Sequence, residues 1–390
     1  MELTILESIV AEADRLYRDL DFQSVRRWKE SGSGRKAVGY MPVYAPLEVI
    51  HAAGMLPVGV FGGGDQVEII RGDACFQSYI CHIPRSTVEL ALSGRLAVLD
   101  GMLFPSTCDV IRNLSGIWRM LLPGVYARYL DVPQNYNPAI GGKFWRAELR
   151  TLADELRALG GGEIGDDGLR ASIKVYNANR RRVRDLYGLR REDPASAPAS
   201  EVYQLLRAGC VIPVEEHNLM LDAYLEAARA TPRPSLDNCR VIVRGAFCEA
   251  PPLALLRTLE RAGCDMIDDD LVLVSRWFRK DVAEDGDPWD ALVNAFLLGS
   301  VDTASRYIGD EEKGAALVRA VRESGAEGVI FAAPSFCDPA LLDQPMLIDA
   351  LDRAGIAHTE FKYAEDTGQF QPIREQAGTF ADSIKLWSEA

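Results

Sequence analysis

One strand-to-helix junction is written twice in this chain, and it points to a parallel α/β sheet in each half. The stretch Gly101-Met-Leu-Phe-Pro-Ser-Thr-Cys108-Asp109 corresponds to Gly328-Val-Ile-Phe-Ala-Ala-Pro-Ser-Phe-Cys337-Asp338. Both read as a short apolar strand, then Pro-Ser-x-Cys-Asp, then a helix. Strands separated by helices build a parallel sheet, covered on both faces. A further correspondence joins Ala45-Pro46-Leu47 through Ala53-Gly54 to Pro251-Pro252-Leu253 through Ala262-Gly263. Chance similarity of two buried strands is the bland alternative, since glycine-plus-apolar runs are common. The shared Pro-Ser-x-Cys-Asp favours duplication.

The remaining pattern fits that frame. Residues up to about 29 read as a surface helix, and 31–35 as a polar Gly/Ser hinge. Strands are expected at 37–43, 56–61, 101–104 and 125–130, with helices at 46–53, 78–92 and 109–121. The middle is mostly helical. It holds a helix at 143–159 and a basic helix around Arg180, Arg181, Arg182 and Arg184. Residues 194–200 form a Pro/Ala/Ser connection, and 231–236, with Pro232 and Pro234, a linker. The last part repeats the opening grammar, with strands at 240–247, 328–332 and 359–363. Its helices are expected at 252–262, 310–324 and 338–354, and from about 371. The expected fold class is α/β: two Rossmann-like parallel-sheet domains related by duplication and joined by a helical middle segment. The expected boundaries are 1–35 for an N-terminal helical extension, 36–137 and 232–390 for the α/β domains, and 138–231 for the helical region.

The chain has 390 residues and a net charge of −14. That balance disfavours nucleic acid as a partner, because phosphate binding needs a basic surface. A polyanionic cofactor needs only a local basic patch. Residues 1–20 carry Glu2, Glu7, Glu12, Asp14, Arg15, Arg18 and Asp19, leaving no apolar signal-peptide core. No apolar run approaches the ~20 residues that span a bilayer. The expectation is a cytoplasmic protein, whose eight cysteines do not form a disulfide framework.

Those cysteines are 75, 81, 108, 210, 239, 248, 264 and 337, and no two form a Cys-x-x-Cys pair. Zinc ribbons, ferredoxin runs and thioredoxin motifs are therefore unsupported, and a metal site must be assembled from distant loops. Cys108 and Cys337 both stand at carboxyl ends of expected strands, where open parallel sheets form their sites. Asp109 and Asp338 suit helix N-caps, and Pro339 suits the first helical position. A helix N-terminus favours the thiolate, the metal-binding form. Backbone N–H groups aimed at cluster sulfurs also raise a reduction potential. Cys81 opens another expected helix, and Cys75, six residues earlier, is its rival. The bland alternative is ordinary buried cysteine. It weakens here because one strand-end context occurs twice. Cys210, Cys239, Cys248 and Cys264 lack that context and read as packing. Cys248 is the least secure of them, since it follows the expected strand at 240–247.

Other features carry less. Gly62-Gly63-Gly64 reads as a turn, and neither a P-loop nor a complete dinucleotide fingerprint occurs. Of the four histidines, His82 adjoins a candidate cysteine and could donate a proton; a structural hydrogen bond is the favoured reading. The basic helix could meet coenzyme A phosphates, but reads better as a solvated face. Asp268-Asp269-Asp270 reads as a solvated loop or cap rather than a cation site.

The segment Tyr40-Met-Pro-Val-Tyr-Ala-Pro-Leu-Glu-Val-Ile-His-Ala-Ala-Gly-Met-Leu-Pro-Val-Gly59, with Cys81-His-Ile-Pro-Arg-Ser86, Ser106-Thr-Cys-Asp109 and Phe336-Cys-Asp-Pro339, resembles the benzoyl-CoA reductase and 2-hydroxyacyl-CoA dehydratase family. Asp269-Asp270 followed by Ser275-Arg276 is also similar. The resemblance covers about residues 36 to 390. Cys81 to Ser86 and Asn113 to Arg119 look closest to the smaller cluster-bearing subunit of the ATP-dependent reductases. The resemblance implies a [4Fe-4S] cluster held by Cys81, Cys108 and Cys337, and it is what favours Cys81 over Cys75. It implies a heterodimer with a homologous cluster-bearing subunit, fed by a separate ATP-hydrolysing iron–sulfur component. The implied reaction is single-electron reduction of benzoyl-CoA, or a related acyl-CoA, to a cyclic dienoyl-CoA. Such a reduction is steeply uphill, at about tenfold in equilibrium constant per 59 mV. Clusters span about −700 to +450 mV. Three thiolates leave one iron open, as at catalytic metal sites. The competing expectations are a 2-hydroxyacyl-CoA dehydratase subunit and, from another class, a two-lobed metabolite-binding protein without iron.

Overall fold

Two four-stranded parallel sheets with the same strand order organise the chain in the computed structural model, which describes residues 3–248, 250–306, 311–364 and 370–388. The first sheet contains β1 (Ala37–Tyr40), β2 (Leu56–Gly59), β3 (Gly101–Pro105) and β4 (Tyr126–Leu130), ordered β2-β1-β3-β4. The second contains β5 (Cys239–Arg244), β6 (Cys264–Asp269), β7 (Gly328–Pro334) and β8 (Ala357–Tyr363), ordered β6-β5-β7-β8. Every strand pairing is parallel. In each sheet the chain order reverses between the two central strands, β1/β3 and β5/β7. Such switch points open a crevice at the strands' carboxyl ends. β3 and β7 are buried along their whole length, which is why their apolar runs do not alternate.

The helices are α1 (Ile5–Arg18), α2 (Gln23–Glu30), α3 (Leu47–Ala52), α4 (His82–Leu92), α5 (Asp109–Leu121), α6 (Lys143–Ala158), α7 (Asp166–Glu192), α8 (Ala199–Ala208), α9 (Val214–Ala230), α10 (Leu253–Arg261), α11 (Pro288–Gly299), α12 (Ala315–Ser324), α13 (Asp338–Ala354) and α14 (Gln371–Ser388). The N-terminal stretch is thus two helices rather than one on the surface. Thr4 and Glu7 form a capping box that starts α1. Leu6, Ala13, Leu16 and Tyr17 form its buried face, which packs on α8 and α9. Phe22, in the left-handed region at φ 52°, turns the chain into α2. The Leu253 N–H donates to Tyr17 Oη (3.2 Å), tying α1 to the start of α10.

One apolar cluster runs from Leu6 to Ala381 and includes strands of both sheets, so the halves share a core. A satellite cluster of Ile242, Leu317, Val321, Val329, Phe331 and Leu351 lies between β7 and the helices α12 and α13. Among the described residues no helix is long and apolar enough to cross a membrane. The helix expected at 310–324 runs Ala315–Ser324, and Asp310 lies outside the described residues.

One sequence reading is overturned and a second holds only in part. Asp268-Asp269-Asp270 is not a solvated loop. Asp269 ends β6, is 3% exposed, and accepts from Arg190 (2.6 Å), Arg276 (2.9 Å) and Tyr187 (3.0 Å). Asp270 accepts the Gly245 and Ala246 N–H groups. The basic helix is a solvated face only in part. Arg180 is buried against Glu48 of α3, while Arg181 and Arg184, both exposed, share Asp281, and the partly exposed Arg182 pairs with Asp222. Each arginine already has a carboxylate, so the helix holds the middle region to its neighbours.

Candidate functional site

Cys108 and Cys337 are themselves the N-cap residues of α5 and α13, and Asp109 and Asp338 are the first helical residues. The expectation that the aspartates cap these helices is corrected accordingly, and Pro339 falls second. The two junctions are built alike. The Ser106 N–H donates to the Leu130 carbonyl at the end of β4 (2.9 Å), and the Ser335 N–H to the Tyr363 carbonyl at the end of β8 (2.7 Å). The carbonyls of Cys108 and Cys337 accept the first intrahelical bonds, from Arg112 (3.2 Å) and Leu341 (3.0 Å). In neither case does the side chain cap its helix. The turn, rather than a cap bond, directs each thiol. Phe336, at φ 66° in the left-handed region, sets the second turn, a strained position for a bulky residue.

Cys81 is the N-cap of α4, again without a side-chain cap bond. The loop before it is pinned by one carboxylate oxygen of Glu89, which accepts the N–H groups of Ile70 (2.9 Å), Arg71 (2.6 Å) and Gly72 (3.0 Å). Burial works to raise the Glu89 carboxyl, but those three donors lower it on balance. Arg85 and Asp73 close the same loop at 2.9 Å.

Cys81, Cys108 and Cys337 line one cavity of about 640 Å³ between the carboxyl ends of the two sheets. Phe336, Leu342 and Met346 give it an apolar rim, and Lys313, bonded to Asp343 (2.9 Å), supplies a cation. Cys75 is elsewhere. It ends a short turn, lies 3.8 Å from the Arg71 carbonyl, and faces a surface groove beside Arg112 and Met120. His82 is the first residue of α4 and is buried. The other three histidines are engaged structurally: His51 with Ser172 and Glu215, His217 with Asn179 and Leu205, and His358 with Asp352.

Sequence reasoning assigned Cys248 to packing, and the structure places it in the cavity. It follows β5, and its Sγ lies 3.9 Å from that of Cys337. Its place just beyond a strand expected at 240–247 was the signal. Cys210, Cys239 and Cys264 are buried packing residues, as expected. Burial pushes their thiols up to about 11, 12 and 12.

Among the described residues, no three His, Cys, Asp or Glu side chains converge on a single metal-ion position. The donor set in the cavity fits a polynuclear group better. Its four thiols come from separate loops, and a space of about 640 Å³ lies between its walls. Sulfur ligands of that kind hold iron–sulfur clusters.

The 2-hydroxyglutaryl-CoA dehydratase D-component family matches residues 42–384, a span that contains all four cavity cysteines. The chain is 58% identical to a benzoyl-CoA reductase subunit of Thauera aromatica, over 97% of this chain and 99% of that one. It is 30% identical to the beta subunit of (R)-2-hydroxyglutaryl-CoA dehydratase of Acidaminococcus fermentans, over 91% and 94% of the two chains. The beta subunit of (R)-phenyllactyl-CoA dehydratase of Clostridium sporogenes is 26% identical, over 90% and 92%.

Proposed function

The chain belongs to the 2-hydroxyglutaryl-CoA dehydratase D-component family, and from that premise we propose that it is a cluster-bearing subunit of an ATP-dependent benzoyl-CoA reductase. Cys81, Cys108 and Cys337 hold a [4Fe-4S] cluster in the cavity between the sheets. When bound, that group supplies single-electron transfer at low potential. The observation that carries the reading is the shared placement of three thiols, each the N-cap of a helix and all lining one cavity. The free N–H groups of those helix starts favour thiolate and stabilise charge on sulfur. The apolar rim of Phe336, Leu342 and Met346 limits water at the site.

The substrate is benzoyl-CoA or a related acyl-CoA, reduced to a cyclic dienoyl-CoA. The partners are a homologous cluster-bearing subunit, forming a heterodimer, and ATP-hydrolysing iron–sulfur subunits that donate electrons. The 58% identity to a benzoyl-CoA reductase subunit supports this over a dehydratase. The two sheets' common strand order supports descent by duplication, with domains at 36–137 and 232–390 around the helical region 138–231.

Anaerobic purification with the partner subunit, followed by iron and sulfide analysis, tests the reading. Cys108→Ala and Cys337→Ala should lose the cluster, and Cys239→Ala should keep it. An iron-free, fully active enzyme, or three variants that behave alike, would overturn it. The second reading, a 2-hydroxyacyl-CoA dehydratase subunit, draws on the 30% identity to such a beta subunit. Ring reduction with stoichiometric ATP consumption separates the two, because a dehydratase recycles its electron.

A further inference from the structure

We propose that Cys248 is a fourth cysteine ligand of the cluster, so that this subunit carries a fully thiolate-ligated relay rather than an iron open to substrate. The inference rests on the cluster reading above. Three thiolates leave one iron without a protein ligand, and open positions mark catalytic sites. Four cysteines are the ordinary set for an electron-transfer cluster. The cavity contains that set: Cys81, Cys108, Cys248 and Cys337 all line it.

The topology explains why a fourth thiol is there. β5 and β7 are neighbours at the switch point of the second sheet. Cys248 follows β5 and Cys337 ends the turn after β7, so both stand at the crevice where such sheets build their sites. Their sulfurs are 3.9 Å apart, and no disulfide joins them. Cysteine side chains choose among staggered wells, so two thiols this close need not share one position. Cys248 would then offer the cluster a fourth thiolate beside that of Cys337. It would ligate as the thiolate, its proton passing to solvent water, with no change of oxidation state.

Burial sets this residue apart from the other cysteines. Cys210, Cys239 and Cys264 are fully buried in the apolar core. Cys248 is only partly buried: it packs beside Ala333, Cys337 and Ala340 and also lines the cavity, next to the start of α13.

The test uses the anaerobically purified holoenzyme with its partner subunits. Iron and sulfide are measured first, and their absence would remove the cluster reading itself. With the cluster present, the wild type and Cys248→Ala are titrated with ferricyanide and followed by electron paramagnetic resonance. The variant should lose roughly one iron per cluster and gain a three-iron signal, while the wild type keeps its full iron content. Equal loss in the two proteins would overturn the proposal. A measurement on the wild type alone covers the case in which the variant does not fold. Native alkylation with iodoacetamide and peptide mass spectrometry should find Cys248 protected in the holoenzyme and labelled after iron chelation. Labelling of Cys248 in the holoenzyme at the rate of Cys75 would refute the assignment.

Discussion

Asp269→Asn is expected to lower the melting temperature by several degrees, although Asp269 is one of three consecutive aspartates and reads in the sequence as surface. Its carboxylate is 3% exposed and is held by Arg190, Arg276 and the Tyr187 hydroxyl. Arg190 is itself only 1% exposed. Asparagine keeps the shape and removes the charge, leaving a buried guanidinium without its counter-ion. Breaking a buried pair in this way costs about 3–5 kcal/mol. The shared core implies that both sheets unfold together. An unfolding entropy of about 2.1 cal/mol/K per residue then gives roughly 0.8 kcal/mol per kelvin for 390 residues. The cost translates into a fall in Tm of about 4–6 °C. Scanning calorimetry at pH 7 and a fixed scan rate measures it, with Arg191→Ala as the control. That arginine is 44% exposed and pairs with Asp268 at 3.2 Å, so its loss should shift Tm by about 1 °C or less. A pH series adds a second handle. Burial alone would raise the Asp269 carboxyl, but Arg190 and Arg276 outweigh it and hold it at about 2. Its stabilisation is therefore complete above about pH 4, the unfolded value, and is lost as pH falls through about 2. An Asp269→Asn protein that melts within about 1 °C of wild type, with unchanged circular dichroism, would refute the reasoning.

Three further outcomes follow from the same physics. His217 is buried and its pKa is lowered to about 4, so the unfolded chain binds a proton first as pH falls. Stability should therefore decrease between about pH 6.5 and 4, by roughly 3 kcal/mol, and His217→Gln should flatten that limb in a pH-resolved melting series. A Cβ at Gly72 would lie 2.1 Å from the Arg85 carbonyl oxygen, in the loop that Glu89 pins. Gly72→Ala should loosen the segment before Cys81 and raise hydrogen exchange at residues 70–72, by at least tenfold if about 1.4 kcal/mol is lost. Cys210, Cys239 and Cys264, with thiols pushed up to about 11, 12 and 12, should resist a thiol reagent at pH 8 until the protein is denatured.

Much of the fold was legible because the signals were local. The buried strands β3 and β7 read as unbroken apolar runs, and the Pro-Ser-x-Cys-Asp turns mark where each chain segment leaves its sheet. β6 was missed because Cys-Asp-Met-Ile-Asp-Asp has neither a clean apolar run nor strict alternation. Two of its aspartates are neutralised only by arginines of α7 and the following turn, contacts that sequence order does not reveal. The burial of Arg180 in α7 was hidden for the same reason, since the carboxylate partners of that basic stretch come from α3, α9 and the residue-281 turn. Of the cysteines that line the cavity, Cys108 and Cys337 were readable from their shared turn. Cys81 needed the family pattern. Cys248 was marked only by its place after an expected strand, and its closeness to Cys337 comes from the adjacency of β5 and β7, a property of sheet order that spacing along the chain does not express.

The core shared by the two sheets also fixes an order of events in the life of the protein. Cys81 and Cys108 are carried by the first sheet's helices, and Cys337 by a helix of the second. The cavity between them has walls only after β7 is in place, because its far side is the turn that follows that strand. In small zinc domains the metal drives folding of its own loop. Here the elements that wall the cavity belong to a large apolar core removed from water. On the cluster reading proposed above, a nascent chain that stops short of β7 would have no receiving site, and iron and sulfide would enter a protein whose two halves had already closed on each other.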